Sequence, residues 1–203
     1  MKRRAYKDET YWGKPVPGFG DPRARVLIVG LAPGAHGANR TGRVFTGDRS
    51  GDFLYRALYE NGFATQPESR SATDGLKLLD AYITGAVRCA PPDNKPAREE
   101  FARCRPYLER EIDALARVRA VVALGKIAAD VYLGILRDRG EIRSRADFPF
   151  GHGREYRLHE KGRTLICCYH PSQQNTSTGK LTAEMLHMVF ARARALANLE
   201  PSA

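Results

Sequence analysis

The sequence predicts a three-layer α/β domain, in which helices cover both faces of a central, mostly parallel sheet of four strands. Short apolar, β-branched runs alternate with segments of helical spacing from Arg25 to the end of the chain. The helical segments are long enough for the right-handed crossovers that join parallel strands. With 203 residues, 42% of them hydrophobic, the chain can bury a sizeable core, and we expect residues 1–203 to form one domain.

Each main strand is predicted from an apolar run that ends at a turn. The runs lie at residues 25–29, 81–87, 120–124 and 164–169, and a short strand candidate follows Gly151-His152-Gly153. Ligands of open α/β sheets bind at the carboxyl ends of the strands. The loops after these runs are therefore the first place to expect a functional site.

The helices are predicted from apolar residues at helical spacing. One helix runs through residues 53–58, with Asp48 or Ser50 as its N-cap, and ends near Asn61-Gly62. Further helices are predicted at residues 99–115 and 126–135, and from Leu181 to about Leu199.

Two segments are predicted to lack long regular structure. Residues 137–145 are highly charged, which is typical of a surface excursion. Residues 1–22 contain several Gly and Pro residues that interrupt helices and strands, together with aromatic residues. We therefore expect residues 1–22 to be an N-terminal extension packed on the body of the domain.

The charge balance favours a polyanionic partner. The chain has 33 Lys and Arg residues against 23 Asp and Glu residues, a net charge of +10. Such a surplus suits phosphate binding, although a solvated basic surface is an equally simple explanation. No apolar run approaches the roughly 20 residues that span a bilayer, and no signal-peptide pattern is present. We expect a cytoplasmic protein with no membrane partner.

Two turns that are far apart in the chain contain most of the chemically informative residues. Residues 30–36 (Gly-Leu-Ala-Pro-Gly-Ala-His) follow the first strand, and residues 170–176 (His-Pro-Ser-Gln-Gln-Asn-Thr) follow the last. Because both turns leave the same edge of the predicted sheet, we expect them to form the two walls of one cleft.

These turns also carry a resemblance. Four segments of the chain resemble the uracil-DNA glycosylase superfamily, specifically its family 5. They are the segment from Tyr11-Trp12 to Pro22, residues 30–48, residues 88–96 (Arg-Cys-Ala-Pro-Pro-Asp-Asn-Lys-Pro) and residues 170–179. The similarity covers nearly the whole chain. It implies the glycosylase fold and a monomeric, monofunctional enzyme that flips a base out of DNA and hydrolyses its N-glycosidic bond. The implied substrates are uracil and other deaminated bases, hypoxanthine and xanthine, in double- and single-stranded DNA.

The resemblance implies three catalytic residues. His170 matches the superfamily histidine that donates a hydrogen bond to the departing uracil anion. Leu31 and Ala32 are apolar where other branches carry Asp, Asn or Glu, so this motif supplies no general base. Asp48 and Asn94 match positions implicated in activity and are the candidates for guiding water. Each has a structural alternative, as a helix N-cap for Asp48 and as a turn-forming side chain for Asn94.

The resemblance also implies a pocket for the flipped base. Phe45 matches the aromatic residue that stacks on that base, although a loop aromatic can also plug a core. Gly85 stands where a related branch has a uracil-reading Asn, which predicts a permissive pocket. The implied substrate-binding residues are Gly30, Leu31, Ala32, Gly34, Ala35, His36, Phe45 and Asn175.

Residues 170–179 match the element that enters the minor groove at the lesion. Amide side chains suit base edges and sugars, and small hydroxyl residues let the backbone approach phosphates. For each cation the alternative is a solvated surface charge. The residues expected to contact DNA are Arg40, Arg43, Ser172, Gln173, Gln174 and Lys180.

The four cysteines fall into two groups. Cys167 and Cys168 lie in an apolar strand, where cysteine is usually a small buried hydrophobe. Cys89 and Cys104 match the second pair of ligands to the [4Fe–4S] cluster that family members carry, but the Cys-x-x-Cys segment that supplies the first pair is not present in this chain. Either the N-terminus is truncated or the protein has lost its cluster. Two thiolates cannot hold such a cluster alone. We therefore expect Cys89 and Cys104 to be residual ligands or ordinary thiols.

Two other functions fit parts of the sequence. A non-catalytic binder of damaged or single-stranded DNA on the same fold needs only cations and stacking, so His170, Phe45 and Asn175 together argue against it. A nucleotide-binding enzyme of the doubly wound type would need a phosphate-binding fingerprint, and the residues around Gly34 form neither a Walker nor a dinucleotide motif.

Overall fold

The computed structural model describes residues 4–158 and 162–198. Four apolar five-residue strands form a parallel centre in the order β3-β2-β4-β6, and a short antiparallel strand pairs with each edge, β1 with β3 and β5 with β6. The strands are β1 (Phe19–Gly20), β2 (Val26–Gly30), β3 (Ala81–Gly85), β4 (Ala120–Leu124), β5 (Glu155–Arg157) and β6 (Thr164–Cys168).

The predicted fold class and its four main strands are confirmed, but the sheet has six strands rather than four. The edge strand β5 is the short candidate that follows Gly153. The sequence gives no sign of β1, because its two residues lie in the Gly- and Pro-rich segment. That strand exists through a tertiary contact in which Phe19 is the register partner of Ile83.

The helices are α1 (Ala38–Thr41), α2 (Arg49–Glu60), α3 (Arg98–Ala114), α4 (Lys126–Asp138), α5 (Gln173–Ser177) and α6 (Ala183–Leu196). The four long helices are where the periodicity predicts them. Helix α4 continues three residues beyond the predicted end, into the charged segment expected to be an excursion. The short helices α1 and α5 lie in segments where the periodicity predicts no helix. The predicted end of the last helix near Leu199 lies outside the described residues.

Helices pack on both faces of the sheet, which gives the three layers. Alternate side chains of β2 point to opposite faces, so Ile28 packs with the buried residues of α2 and α6, and Leu27 packs with those of α3 and α4. Continuous burial along β2 and β4 is typical of parallel strands that are covered on both sides.

Residues 4–22 lie against this body. The side chain of Val16 is buried, and its amide donates to the carbonyl of Arg88 at 2.7 Å. The amide of Trp12 donates to the carbonyl of Arg40 at 3.0 Å, which joins the extension to α1. In the described ranges, no helix has the length and apolar content that crossing a membrane requires.

Candidate active site

The two predicted cleft walls meet at Phe45 and His170. Their ring centroids lie 5.8 Å apart, with an angle of 33° between the ring planes. Phe45 follows the turn after β2, and His170 comes two residues after β6. Strand β4 separates β2 from β6, and the Gly125 turn that follows it passes beneath His170: a Cβ on Gly125 would lie 3.4 Å from the Cβ of His170.

Phe45 is held in a conformation that projects its ring across the end of β2. Its φ is +52°, in the left-handed region that non-glycine residues rarely adopt. Both neighbours are buried and tied down: the Tyr55 hydroxyl donates to the carbonyl of Val44 at 3.0 Å, and the hydroxyls of Thr46 and Ser69 share a 2.6 Å hydrogen bond. The ring lies on Gly30, where a Cβ would be 2.8 Å from it.

Arg43 does not present a cation to DNA, contrary to the prediction. Its side chain is only 4% exposed, and its guanidinium donates to Asp74 at 2.8 Å and to Ser69 at 3.0 Å. It also lies 4.6 Å from the centre of the Phe19 ring. A paired, buried guanidinium cannot reach a phosphate, so Arg43 instead anchors the segment that carries Phe45.

The structure does not support a phosphate contact from Arg40 either. Its guanidinium bonds Glu9 at 2.7 Å, the carbonyl of Gly47 at 3.2 Å and the carbonyl of His36 at 2.9 Å. These bonds tie together the N-terminal extension and both ends of the loop between β2 and α2. His36, a predicted substrate contact, has its Nδ1 3.0 Å from the Tyr11 hydroxyl and is half-buried at the outer side of this loop.

His170 is largely shielded from solvent. Burial lowers the pKa of its imidazole, and the nearby Asp48 carboxylate opposes that change in part. Its carbonyl accepts a 2.8 Å hydrogen bond from the side-chain amide of Asn175. The Asn175 side chain, predicted to contact substrate, therefore supports the main chain of His170 in this structure. Ser172, predicted to contact DNA, caps α5 by accepting from the amide of Asn175 at 3.3 Å.

Asp48 is the N-cap of α2, one of the two roles that the sequence leaves open, and its second oxygen faces the turn after β2. One carboxylate oxygen caps α2 by accepting from the amide of Gly51 at 3.0 Å. The other oxygen points to the turn between Gly34 and Gly37, where Cβ atoms would lie 2.9 Å and 2.0 Å from it. Glycine at both positions makes room for the carboxylate, which brings Asp48 beside the motif that lacks an acidic residue of its own.

Asn94 lies on the loop after β3 and is exposed. Its φ is +55° and its amide donates to the carbonyl of Pro91 at 3.3 Å, so its backbone forms the predicted turn. Its side chain makes no hydrogen bond to any residue the structure describes. No contact in the described ranges brings Asn94 against His170, whereas the Phe45 ring lies beside it and the Asp48 carboxylate influences its pKa.

The rest of the pocket motif is mostly backbone. The carbonyls of Gly30 and Leu31 accept from Ala86 and Val87, both at 2.9 Å, so the turn stays paired with the loop after β3. Leu31 and Ala32 are half-buried, and Ala35 is exposed. On the opposite wall the predicted DNA contacts Gln173, Gln174 and Lys180 are all exposed.

His152 is a residue of this site that the sequence reading missed. It is half-buried, its Nδ1 accepts from the amide of Tyr169 at 3.2 Å, and its ring stacks on the Tyr169 ring. Tyr169 immediately precedes His170. A histidine between two glycines, directly before a strand, was the available signal, but nothing in the sequence shows that it reaches the end of β6.

The residues near Cys89 and Cys104 do not fit an iron–sulfur cluster. The amide of Arg88 donates to the sulfur of Cys104 at 3.4 Å, and burial together with the nearby Cys104 thiol raises the pKa of Cys89. Residues 4–158 and 162–198 contain no group of three or more His, Cys, Asp or Glu residues arranged to hold a metal. A [4Fe–4S] cluster needs four thiolates. Cys167 and Cys168 are buried in β6, as predicted.

Comparison with known proteins relates nearly the whole chain to one family. Residues 17–194 match the family model described as the Uracil DNA glycosylase superfamily. The chain is 51% identical over 198 residues to a type-5 uracil-DNA glycosylase of Thermus thermophilus, a match that covers 98% of this chain and 87% of that protein. It is 50% identical to a type-5 uracil-DNA glycosylase of Mycobacterium tuberculosis, over 98% of this chain and 73% of that protein.

A solved structure supports the fold independently. A solution NMR structure of a protein from Methanosarcina acetivorans superposes with a TM-score of 0.51 and covers 90% of this chain and 98% of that one. Only 14% of the residues are identical, so this likeness bears on the fold alone.

Proposed function

Because the chain belongs to the uracil-DNA glycosylase superfamily, we propose that it removes uracil from DNA by hydrolysing the bond between the base and C1′ of the deoxyribose. The observation that carries this proposal is the meeting of Phe45 with His170 across one cleft. The C1′–N bond is inaccessible within the base stack, so the nucleotide must be flipped into a pocket. An aromatic face and a hydrogen-bond donor are the two groups that such a pocket needs first.

Phe45 receives the base on the face of its ring. A base sandwiched between two parallel rings needs about 7 Å between them, since each stacked contact is about 3.5 Å. The two centroids are only 5.8 Å apart. The uracil therefore stacks on Phe45 with its edge, rather than its face, toward His170.

His170 acts as a neutral hydrogen-bond donor. Burial lowers the pKa of its imidazole, which keeps the ring uncharged near pH 7. When the C1′–N1 bond breaks, its electron pair leaves with the base and the sugar becomes oxocarbenium-like. An imidazole N–H aimed at O2 stabilises the resulting uracil anion, as preorganised donors do in oxyanion holes.

Water then attacks C1′ and loses a proton. Asp48 is the better placed of the two candidates to orient that water and accept the proton, because its second oxygen faces the turn between Gly34 and Gly37. Asn94 supplies a second polar group from the loop after β3, whose side chain is exposed. The departing uracil anion takes its proton from solvent.

The range of substrates follows from the pocket and its rim. Gly85 offers no side chain to read the uracil edge, so we propose that hypoxanthine and xanthine are also removed. Ser172, Gln173, Gln174 and Lys180 contact the DNA around the flipped nucleotide, in duplexes and in single strands. We expect a monomer to do this, and the cytoplasmic location remains a prediction.

The test uses labelled duplexes that contain uracil, hypoxanthine, xanthine or, as the control, thymine. Under single-turnover conditions we expect strand scission at each deaminated base after hot alkali, and none without alkali or with thymine. Tight binding with no base release would favour the non-catalytic binder. Release of uracil alone would contradict the wider substrate range.

The cofactor is tested by iron content. Since two thiols do not fit a [4Fe–4S] cluster, we expect purified protein of this sequence to hold far less than four iron atoms per chain. Elemental analysis with a colorimetric sulfide assay measures this directly. Iron near four per chain would contradict the expectation.

A further inference from the structure

The side chain of His152 adds one more hydrogen bond to those that join β6 to the segment containing β5. Beyond the register pair of Glu155 with Ile166, the amide of Gly153 donates to the carbonyl of Cys167 at 2.8 Å, and the amide of Cys167 donates to the carbonyl of Arg154 at 2.9 Å. The next amide on this side belongs to Tyr169, and it donates to the imidazole Nδ1 of His152 at 3.2 Å. A side-chain nitrogen thus takes the place of a backbone carbonyl.

The contact is reinforced by the rings. The imidazole of His152 stacks on the Tyr169 ring, with centroids 5.1 Å apart and planes 29° apart. The Lys180 ammonium lies 5.0 Å from the centre of the same ring. An Nδ1 that accepts an N–H must be unprotonated, so the neutral tautomer carries its hydrogen on Nε2.

The bond lies one residue from the proposed catalytic imidazole. On its other sides the chain is held by the amide of Gly125, which donates to the carbonyl of Cys168 at 2.7 Å, and by the Asn175 amide on the carbonyl of His170. We infer that His152 is a positioning residue: by accepting the Tyr169 amide it fixes the main-chain direction from which His170 projects into the cleft, and its protonation releases that hold. This inference rests on the role proposed above for His170.

The surroundings of His152 place this switch at acid pH, because burial lowers the pKa of the imidazole. The cavity on its outer side has charged groups from two elements, Glu155 of β5 and Glu184 and Arg192 of α6. Arg192 pairs with Glu155 at 2.8 Å, so these charges partly cancel. The Arg154 side chain packs against Gly151, where a Cβ would lie 2.9 Å from its Nε, and Lys180 faces Tyr169 from the loop before α6. Burial lowers the pKa of His152, so the acceptor form prevails at pH 7.

Two variants separate the hydrogen bond from the packing. His152→Phe keeps a stacked ring but has no acceptor, and His152→Asn keeps an acceptor attached to Cγ that cannot be protonated. At pH 8 we expect His152→Phe to lower the single-turnover rate of uracil release about five- to tenfold, the factor of one ordinary hydrogen bond, with unchanged duplex affinity. The single-turnover rate of His152→Asn should remain within about threefold of the wild-type rate.

The pH profile gives a readout that a purely structural role would not change. Protonation of His152 removes the same hydrogen bond that His152→Phe lacks, so the wild-type rate should fall about five- to tenfold further at acid pH than the rate of His152→Asn, whose side chain does not titrate. The ratio of the wild-type rate to the His152→Asn rate should therefore fall by that factor between pH 8 and acid pH. Equal rates for wild type and His152→Phe at pH 8, or a ratio of wild type to His152→Asn that does not change with pH, would overturn the inference.

A spectroscopic measurement on the unmodified protein keeps the test decisive if a variant fails to fold. The ¹⁵N-correlated amide resonance of Tyr169 should shift with the titration of the His152 imidazole, whose Nδ1 should be unprotonated at pH 8. A Tyr169 amide resonance that does not shift during this titration would overturn the inference. A wild-type protein that releases no uracil while passing the Tyr169 test would instead overturn the proposed function.

Discussion

The ring of Phe45 and the imidazole of His170 lie 5.8 Å apart, although the two residues come from opposite parts of the chain. The sheet order brings them together, because β2 and β6 flank β4 and all three end at the same edge. The glycine at the end of β2, Gly30, leaves room for the Phe45 ring. The proposed chemistry depends on this pairing.

Removal of the Phe45 ring should weaken capture of the flipped base. Base–aromatic stacking contributes about 1–3 kcal/mol, so Phe45→Ala should lower the single-turnover rate at subsaturating enzyme roughly 5- to 100-fold. Phe45→Tyr keeps the aromatic face and should stay close to wild type. If Phe45→Ala and wild type release uracil equally fast, the ring is a plug for the loop rather than a platform for the base.

A methyl group at Gly30 should displace the Phe45 ring. The Cβ of Gly30→Ala would meet the ring at 2.8 Å, so activity should fall toward the level of Phe45→Ala. Gly134→Ala in α4 is the matched control, because its Cβ meets nothing within 4 Å. It should retain activity and gain about 1 kcal/mol in the free energy of unfolding. A fully active Gly30→Ala enzyme would show that the position of Phe45 is unimportant.

Substitutions of Asp48 separate its cap from its charge. Asn caps helices as well as Asp does, whereas Ala costs about 1 kcal/mol. We expect both Asp48→Asn and Asp48→Ala to lose at least about 100-fold in rate, the usual range for a general base, while only Asp48→Ala loses stability in urea unfolding.

The control for this comparison is the N-cap of another long helix, at a residue with no proposed role in catalysis or DNA contact. Thr182 caps α6 by accepting from the amide of Met185 at 3.2 Å. Thr182→Ala should lose about 1 kcal/mol and keep its activity. An Asp48→Asn protein with the wild-type rate would leave Asp48 with a capping role only.

The buried pair of Arg43 and Asp74 should determine acid stability. Burial raises the pKa of Asp74, but hydrogen bonds from the Leu76 amide, the Arg43 guanidinium and the Arg70 and Ser71 amides outweigh it and lower the pKa to about 2. In the unfolded chain the pKa of this carboxyl is near 4, so its lowered pKa in the folded protein stabilises the fold fully at pH values above about 4. This stabilisation is lost as the pH falls toward 2.

Arg43→Met should therefore destabilise the protein by roughly 3 kcal/mol at pH 7, because it leaves a buried carboxylate without its cation. Addition of Asp74→Asn should recover part of that loss, as measured by urea unfolding. The salt dependence of DNA binding should be unchanged in Arg43→Met. If Arg43→Met instead keeps the wild-type stability and its DNA binding depends less steeply on salt, Arg43 contacts a phosphate, as the sequence predicts.

Local patterns predict the parts of this fold that local chemistry determines. Four apolar, β-branched runs become the four parallel strands, and Asp48 caps α2, because periodicity and capping act within one or two turns of chain. The two turns that carry Phe45 and His170 could be identified as one cleft because parallel strands share a carboxyl edge.

Partners that are distant in the chain account for what the sequence did not predict. Arg43 is predicted to be a free loop cation because its partner, Asp74, lies 31 residues away in the sequence. The same prediction is made for Arg40 because its partner, Glu9, belongs to the N-terminal extension. Strand β1 and the contact between His152 and Tyr169 likewise arise only when separate segments pack together. No local pattern shows which distant group a side chain meets.

The central claim is most directly tested by His170→Ala on a uracil duplex under single-turnover conditions, with duplex affinity measured in parallel. The loss of one preorganised donor should slow uracil release roughly 100- to 1000-fold while the affinity stays near wild type. A His170→Ala enzyme that releases uracil at the wild-type rate would contradict the account.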